Sequence, residues 1–265
     1  MRLRISHVTS YTYEEPVPYG LQQLRLRPKS RPNQTVLDWK IEIEGGKLEV
    51  GYEDEHANNV DLISFHRGET DLTVRCSGEV EVTDAHGIIG PHQGFVPLWL
   101  FQRQTTLTQV GPEMQKLVDA LPKADQGLPQ LHALMNHVLD SIPYSTDQTA
   151  TDLSAEMVIY AGQGVCQDHT HVFLAAARAL GYPARYVSGY LMMEGQTEQN
   201  ASHAWAEAHV QGIGWVGFDV SNAISPDDRY VRVATGLDYG GAAPVQGLHF
   251  GQGREQMQVA LQVQQ

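Results

Sequence analysis

Cysteine, positive charge and long apolar stretches are the scarce features of this chain. Its 265 residues hold two cysteines, Cys76 and Cys166. Two thiols cannot build a disulfide framework or a four-cysteine zinc site. Lysine and arginine number 18 against 31 aspartates and glutamates, a formal charge of -13. So acidic a surface repels phosphate backbones and anionic lipid, so neither a nucleic acid nor a membrane is an expected partner. The opening MRLRISHVTS has no apolar core of signal-peptide length. The least polar long run, 172–180, is interrupted by Arg178 and is too short to cross a bilayer. The expectation is a cytoplasmic protein in a reducing compartment, where a thiol stays free.

What remains is an ordinary globular composition, with 42% hydrophobic and 18% charged residues. Disorder is therefore not expected, and the length suggests two domains. The first third reads as sheet. Runs at 2–8, 35–44, 47–52, 60–66 and 71–83 are β-branched or alternating, with Gly45-Gly46 marking a turn. In 71–83, Leu72, Val74, Cys76, Val80 and Val82 share one face, and polar residues fill the other. That period of two is a half-buried strand, which places Cys76 inside as a small hydrophobe. Several such strands predict an antiparallel sandwich or barrel-like domain over 1–105.

The period then changes. Residues 85–111 read as a connection, 112–121 and 129–142 carry apolar residues at helical spacing, and Ser154 is placed to cap a third helix. The Gln-rich tail from 251 is expected to be loosely held.

Chemistry concentrates later. Gly162-Gln163-Gly164-Val165-Cys166 is a tight turn leading into a helix-compatible, largely apolar run to Leu180. A cysteine at a helix start lies beside unpaired N–H groups and the positive end of the dipole, which favour thiolate and can hold an oxyanion. In 200–210, His203, Trp205, Glu207 and His209 share one face, while alanines and Val210 fill the other. The small face suits close packing on a buried helix and leaves His203 as a base. Gly214-Trp215-Val216-Gly217-Phe218-Asp219 would pair with that strand as a hairpin, setting the Asp219 carboxylate beside the imidazole. Glu207 is a candidate ion-pair partner of Arg185.

GQGVCQDHTH, SHAWAEAHV and GWVGFDVSN together resemble the three motif blocks of the transglutaminase-like superfamily. Gly181 to Tyr190 is similar to the strand between the cysteine helix and the histidine strand. His7-Val8-Thr9-Ser10-Tyr11-Thr12-Tyr13 and Leu26-Arg27-Pro28 resemble the β-rich N-terminal domain of bacterial members. The resemblance implies an α+β fold: an antiparallel β domain at 1–105, then a papain-like, transglutaminase-like catalytic domain at 106–265. It implies Cys166 as nucleophile, His203 as base and Asp219 as its orienting partner. Acyl transfer on a peptide or protein amide through a thioester follows, as in a cysteine protease, amidase or transglutaminase. Tyr160 is the expected second oxyanion donor, and Trp205 shields the site, lines the acyl groove or packs on its strand. Val220 follows Asp219 where many members have proline. No EF-hand-like acidic run occurs, so calcium is not implied and no cofactor is expected.

Two rivals stand beside this reading. Cys166, Asp168, His169 and His171 could suggest a metal site, but His169 and His171 are two apart on a helix and point in different directions. A non-catalytic peptide-binding module on the same fold is the other; members of that kind usually lack a triad residue, and here all three are present.

Overall fold

The computed structural model describes residues 1–145, 153–251 and 253–265. The chain begins with six strands: β1 (Arg2–Tyr13), β2 (Tyr19–Arg27), β3 (Gln34–Glu44), β4 (Gly46–Glu53), β5 (Asn59–Phe65) and β6 (Asp71–Val82). A short β7 (Ile88–Gly90) and two 3-10 turns lead into α1 (Pro112–Asp119), α2 (Leu128–Ser141), α3 (Ala155–Ala161) and α4 (Cys166–Ala179). Then come β8 (Ala184–Leu191), β9 (Glu198–Gln199), β10 (His203–Val210), β11 (Gly214–Phe218), β12 (Tyr230–Gly236), α5 (Tyr239–Ala242), β13 (Val245–Phe250) and β14 (Glu255–Gln264). The fold is α+β, with mostly antiparallel sheets and few helices. No helix among the described residues is long and apolar enough to cross a membrane.

Three sheets form, in the orders β3-β6-β1-β14-β9, β13-β2-β5-β4 and β12-β8-β10-β11-β7. The alternation read in 71–83 is real: Leu72, Val74, Cys76, Val80 and Val82 are all buried. Burial pushes the Cys76 thiol up to about 12, so it is chemically inert near neutral pH. Gly45 turns the chain from β3 to β4 with φ +79°, a left-handed conformation in which a Cβ would run into the Asp71 carbonyl.

Two expectations need correction. The tail is not loose, because β14 pairs antiparallel along β1, from Arg4 opposite Gln264 to Tyr13 opposite Glu255. The stretch 85–111 is not only a connection, because β7 pairs with β11 at the edge of the third sheet. The halves of the chain therefore exchange strands: β13 and β14 complete the two N-terminal sheets, and β7 extends the sheet of the C-terminal half.

The helical layer packs on the third sheet. Every residue of α4 from Asp168 to Arg178 is buried, and its neighbours include the small side chains Ala204, Ala206 and Ala208 of β10. Alanines let the helix and strand approach closely, and Phe173 then stacks on Phe218 with ring centroids 5.2 Å apart. Arg178, which interrupts this apolar run, is buried because its guanidinium donates to the Phe101 and Ala184 carbonyls and to the Thr108 hydroxyl. At its other end α4 is fixed by Asp168, whose Oδ2 accepts from the Val165 N–H at 2.9 Å, close to the positive end of the dipole.

Candidate active site

Cys166 is the first residue of α4, so its N–H is not used by the helix ladder. The residue is half-buried. His203 opens β10, and Asp219 follows β11, held in a bridge to Ile224. Because α4 lies against β10, and β10 pairs with β11, the three side chains converge from three elements. Cys166 and His203 line one cavity of about 570 Å³.

The imidazole is the centre of this group. His203 Nε2 donates to Asp219 Oδ2 at 2.6 Å, leaving Nδ1 as the ring atom available to the sulfur. Burial alone would lower the pKa of His203. The Cys166 charge, hydrogen bonds with Asp219 and Cys166, and the Asp219 charge outweigh burial and lift it to about 10. Asp219 is fully buried yet held below the usual carboxylate range. Burial would raise it, but donors surround it: His203, the Asn222 side-chain amide at 2.7 Å and the Tyr230 hydroxyl at 2.7 Å.

Tyr230 and Asn222 are partners that sequence pattern did not single out as such. Asn222 carries a local signal, an amide three residues after an aspartate in a turn. Tyr230 carries none, since it reaches Asp219 from β12. The rings of Trp205 and Tyr230 meet edge-on at 5.4 Å, and Trp205 lies beside His203 at 6.3 Å. Trp205 is 2% exposed and sits behind the histidine rather than in the cavity wall. Tyr160 does not join the group: it is 87% exposed on α3 and does not line the cavity. Tyr144 does line it, and burial together with the charges of Cys166 and Asp219 raises its pKa.

The neighbouring histidines have other employment. His169 Nε2 lies 2.8 Å from the Ile142 carbonyl and its Nδ1 2.8 Å from the Ser221 hydroxyl. It thus ties α4 to the turn that follows Asp219. Burial lowers its pKa, and burial takes His171 down to about 4. His171 Nε2 accepts from the Tyr239 N–H. Among the described residues no group of three His, Cys, Asp or Glu side chains is arranged to hold a metal ion.

Behind the histidine on the same face of β10 lies a buried charge cluster. Glu207 is fully buried and accepts from Arg185 Nε at 2.6 Å and Arg232 Nε at 2.7 Å. Burial opposes its ionisation, but the two guanidiniums overcome that and hold it at about 2. Arg185 also lies over the Trp215 ring, 3.9 Å from its centroid. The sequence suggested the Arg185 partner; Arg232, from β12, is an addition.

Residues 115–220 match the transglutaminase-like superfamily, and residues 3–81 match the bacterial transglutaminase-like N-terminal region. An uncharacterized protein of Mycobacterium leprae is 27% identical over 99% of this chain and 98% of its own length. An uncharacterized protein of Mycobacterium tuberculosis is 26% identical over 93% of this chain and 87% of its own. A crystal structure named as a "putative cysteine protease from Cytophaga hutchinsonii" shares the fold, with a TM-score of 0.79 at 19% identity over 99% of this chain and 90% of that one.

Proposed function

Because the chain belongs to the transglutaminase-like superfamily, we propose that it is a thiol-dependent acyl-transfer enzyme acting on a peptide or protein amide. The observation that carries this reading is His203, bonded to buried Asp219 on one side and close enough to Cys166 on the other to feel its charge and a hydrogen bond. An imidazole held in that way stays protonated beside a sulfur, which is the state a thiolate nucleophile and its proton donor need.

Cys166 Sγ attacks the amide carbonyl. The oxyanion is held by the Cys166 N–H and by a second donor, for which Tyr144 is better placed than Tyr160. His203 Nδ1 gives its proton to the departing nitrogen, the C–N bond breaks, and a thioester remains. Water or an amine then attacks the thioester. His203 takes the attacking group's proton, the C–S bond breaks, and the thiolate–imidazolium pair is restored. Asp219 keeps the ring turned to the sulfur, and Asn222 and Tyr230 keep Asp219 in place.

The test is incubation with a glutamine-containing peptide and a labelled primary amine. Ammonia release with label incorporated identifies amine transfer. Ammonia release, or peptide cleavage, without incorporation identifies hydrolysis. Peptide binding with no product under any condition contradicts the enzyme reading and leaves a binding module.

A further inference from the structure

The strands of the N-terminal region form part of the wall around Cys166. The inward row of β1 ends in His7, Thr9, Tyr11 and Tyr13, and the first three of these line the cavity that holds Cys166 and His203. On β14, Met257 and Val259 line it too. A second cavity of about 210 Å³ lies between β1 and β14 of one sheet and β2 and β13 of the next. Tyr11, Val245 and Met257 wall both cavities. The same two rows continue one step further in the second cavity, with Tyr13 on β1 opposite Glu255 on β14. The cavities are therefore consecutive chambers over one pair of strands. Thr9 and Tyr13 are separated by roughly 14 Å at about 3.4 Å per residue, the length of about four residues of extended chain.

The second chamber is rich in acceptors. Gln22 is 6% exposed and its Oε1 is buried with no hydrogen-bond partner. The Glu255 side chain is 35% exposed, and Oε2 lies 3.3 Å from His249 Nδ1. Tyr13 is buried beside that carboxylate, and burial and the Glu255 charge both raise its phenol. No lysine or arginine is among the described residues lining either chamber. An unpaired buried acceptor, and a carboxylate whose neighbours in the same wall are the Tyr13 phenol and the His249 ring rather than a permanent cation, favour a ligand that brings donors and positive charge. A carboxylate-bearing group would instead meet like charge, in a chain already at -13.

We propose that the second chamber is a substrate subsite for a lysine or arginine side chain carried about four residues from the reacting amide on an extended peptide. The proposal rests on the acyl-transfer reading for the place of the reacting amide and adds the class of peptide. The peptide backbone lies over the β1 and β14 rows, its amide reaches Cys166 in the first chamber, and its cation meets Glu255 and Gln22 in the second.

The test uses full-length Cys166→Ala protein and fluorescent peptides with blocked ends, one glutamine and otherwise neutral residues. A single lysine or arginine is moved from two to seven residues away on either side. Binding is expected to be about fivefold tighter with the cation three to five residues away on one side, an effect of the size of one partly exposed ion pair. Lysine replaced by norleucine loses the gain, and Glu255→Gln in the same background brings the cationic peptides down to their norleucine counterparts. A melting curve checks that the variant is folded. Affinity that ignores the position of the cation, a gain that survives Glu255→Gln, or no binding by any peptide overturns the proposal. Turnover of the same peptides by the unmodified protein reports separately. Position-dependent binding without turnover keeps the subsite and refutes the enzyme; turnover without position dependence does the reverse.

Discussion

Glu207 is where a single substitution has the largest calculable consequence. Its carboxylate is fully buried between Arg185 and Arg232, whose side chains are 11% and 8% exposed. Glu207→Gln keeps the volume and removes the charge, leaving two guanidiniums buried without a counter-ion. Breaking a buried pair by removing one partner costs about 3–5 kcal/mol. At about 2–4 °C per kcal/mol for a chain of this size, the melting temperature falls by roughly 6–20 °C. The pH dependence has a defined sign. Glu207 ionises at about 2 in the folded protein, below its ordinary value of 4.5. Its contribution is therefore complete above about pH 4.5 and lost as the pH falls toward 2. Urea unfolding of both proteins at pH 7 measures the difference. A second variant separates lost charge from lost packing: replacing Glu207, Arg185 and Arg232 together with apolar residues of similar size is expected to recover most of the stability. A loss below about 1 kcal/mol for Glu207→Gln, or no recovery in the triple variant, refutes the argument that burial makes this charge matter.

Other expectations follow from the site. His203 is raised to about 10 from an ordinary 6.5, so its ion-pair contribution is complete below about pH 6.5 and disappears as the pH rises through 10. The unfolding free-energy difference between the unmodified protein and His203→Gln should shrink across that interval; a difference independent of pH between 6 and 10 contradicts it. Tyr230→Phe deletes one of the donors on Asp219, and a loss of about 1–2 kcal/mol in stability with a several-fold lower kcat is expected from urea titration and amidase assays. Tyr144→Phe should lower kcat by about tenfold or more with little change in KM, and Tyr160→Phe should change neither, because only Tyr144 lines the cavity. The reverse ranking would return the second donor to α3.

The parts of this molecule legible in sequence are those whose partners lie nearby in sequence or share a strand face. Period two separated the His203 face of β10 from its alanine face, and the helix start placed Cys166. The hairpin turn at 211–214 set β11, and hence Asp219, beside β10. The buried face of β6 was legible for the same reason. Partners that arrive from β12 were not. Tyr230 and Arg232 reach Asp219 and Glu207 from β12, which pairs with β8 rather than with its neighbours in sequence. The polar tail gave no sign of being a strand because β14 is mostly exposed along its first half, where its pairing with β1 holds it; only Leu261 and Val263 of its second half are buried. Tyr160 lies only six residues before Cys166 in the chain, yet α3 turns it to solvent. Proximity in sequence is not direction in space.

On the proposed mechanism the Cys166 sulfur becomes acylated with His203 and Asp219 assisting. Intact-mass spectrometry after an acid quench during turnover of a glutamine peptide tests it most directly. A mass gain equal to the peptide less ammonia, or to the acyl fragment if a peptide bond is cut, is expected and maps to Cys166. Hydroxylamine should remove it, and Cys166→Ser or His203→Ala protein should not show it. An adduct at another residue, or one formed equally well by His203→Ala, would rule out Cys166 as a nucleophile assisted by His203.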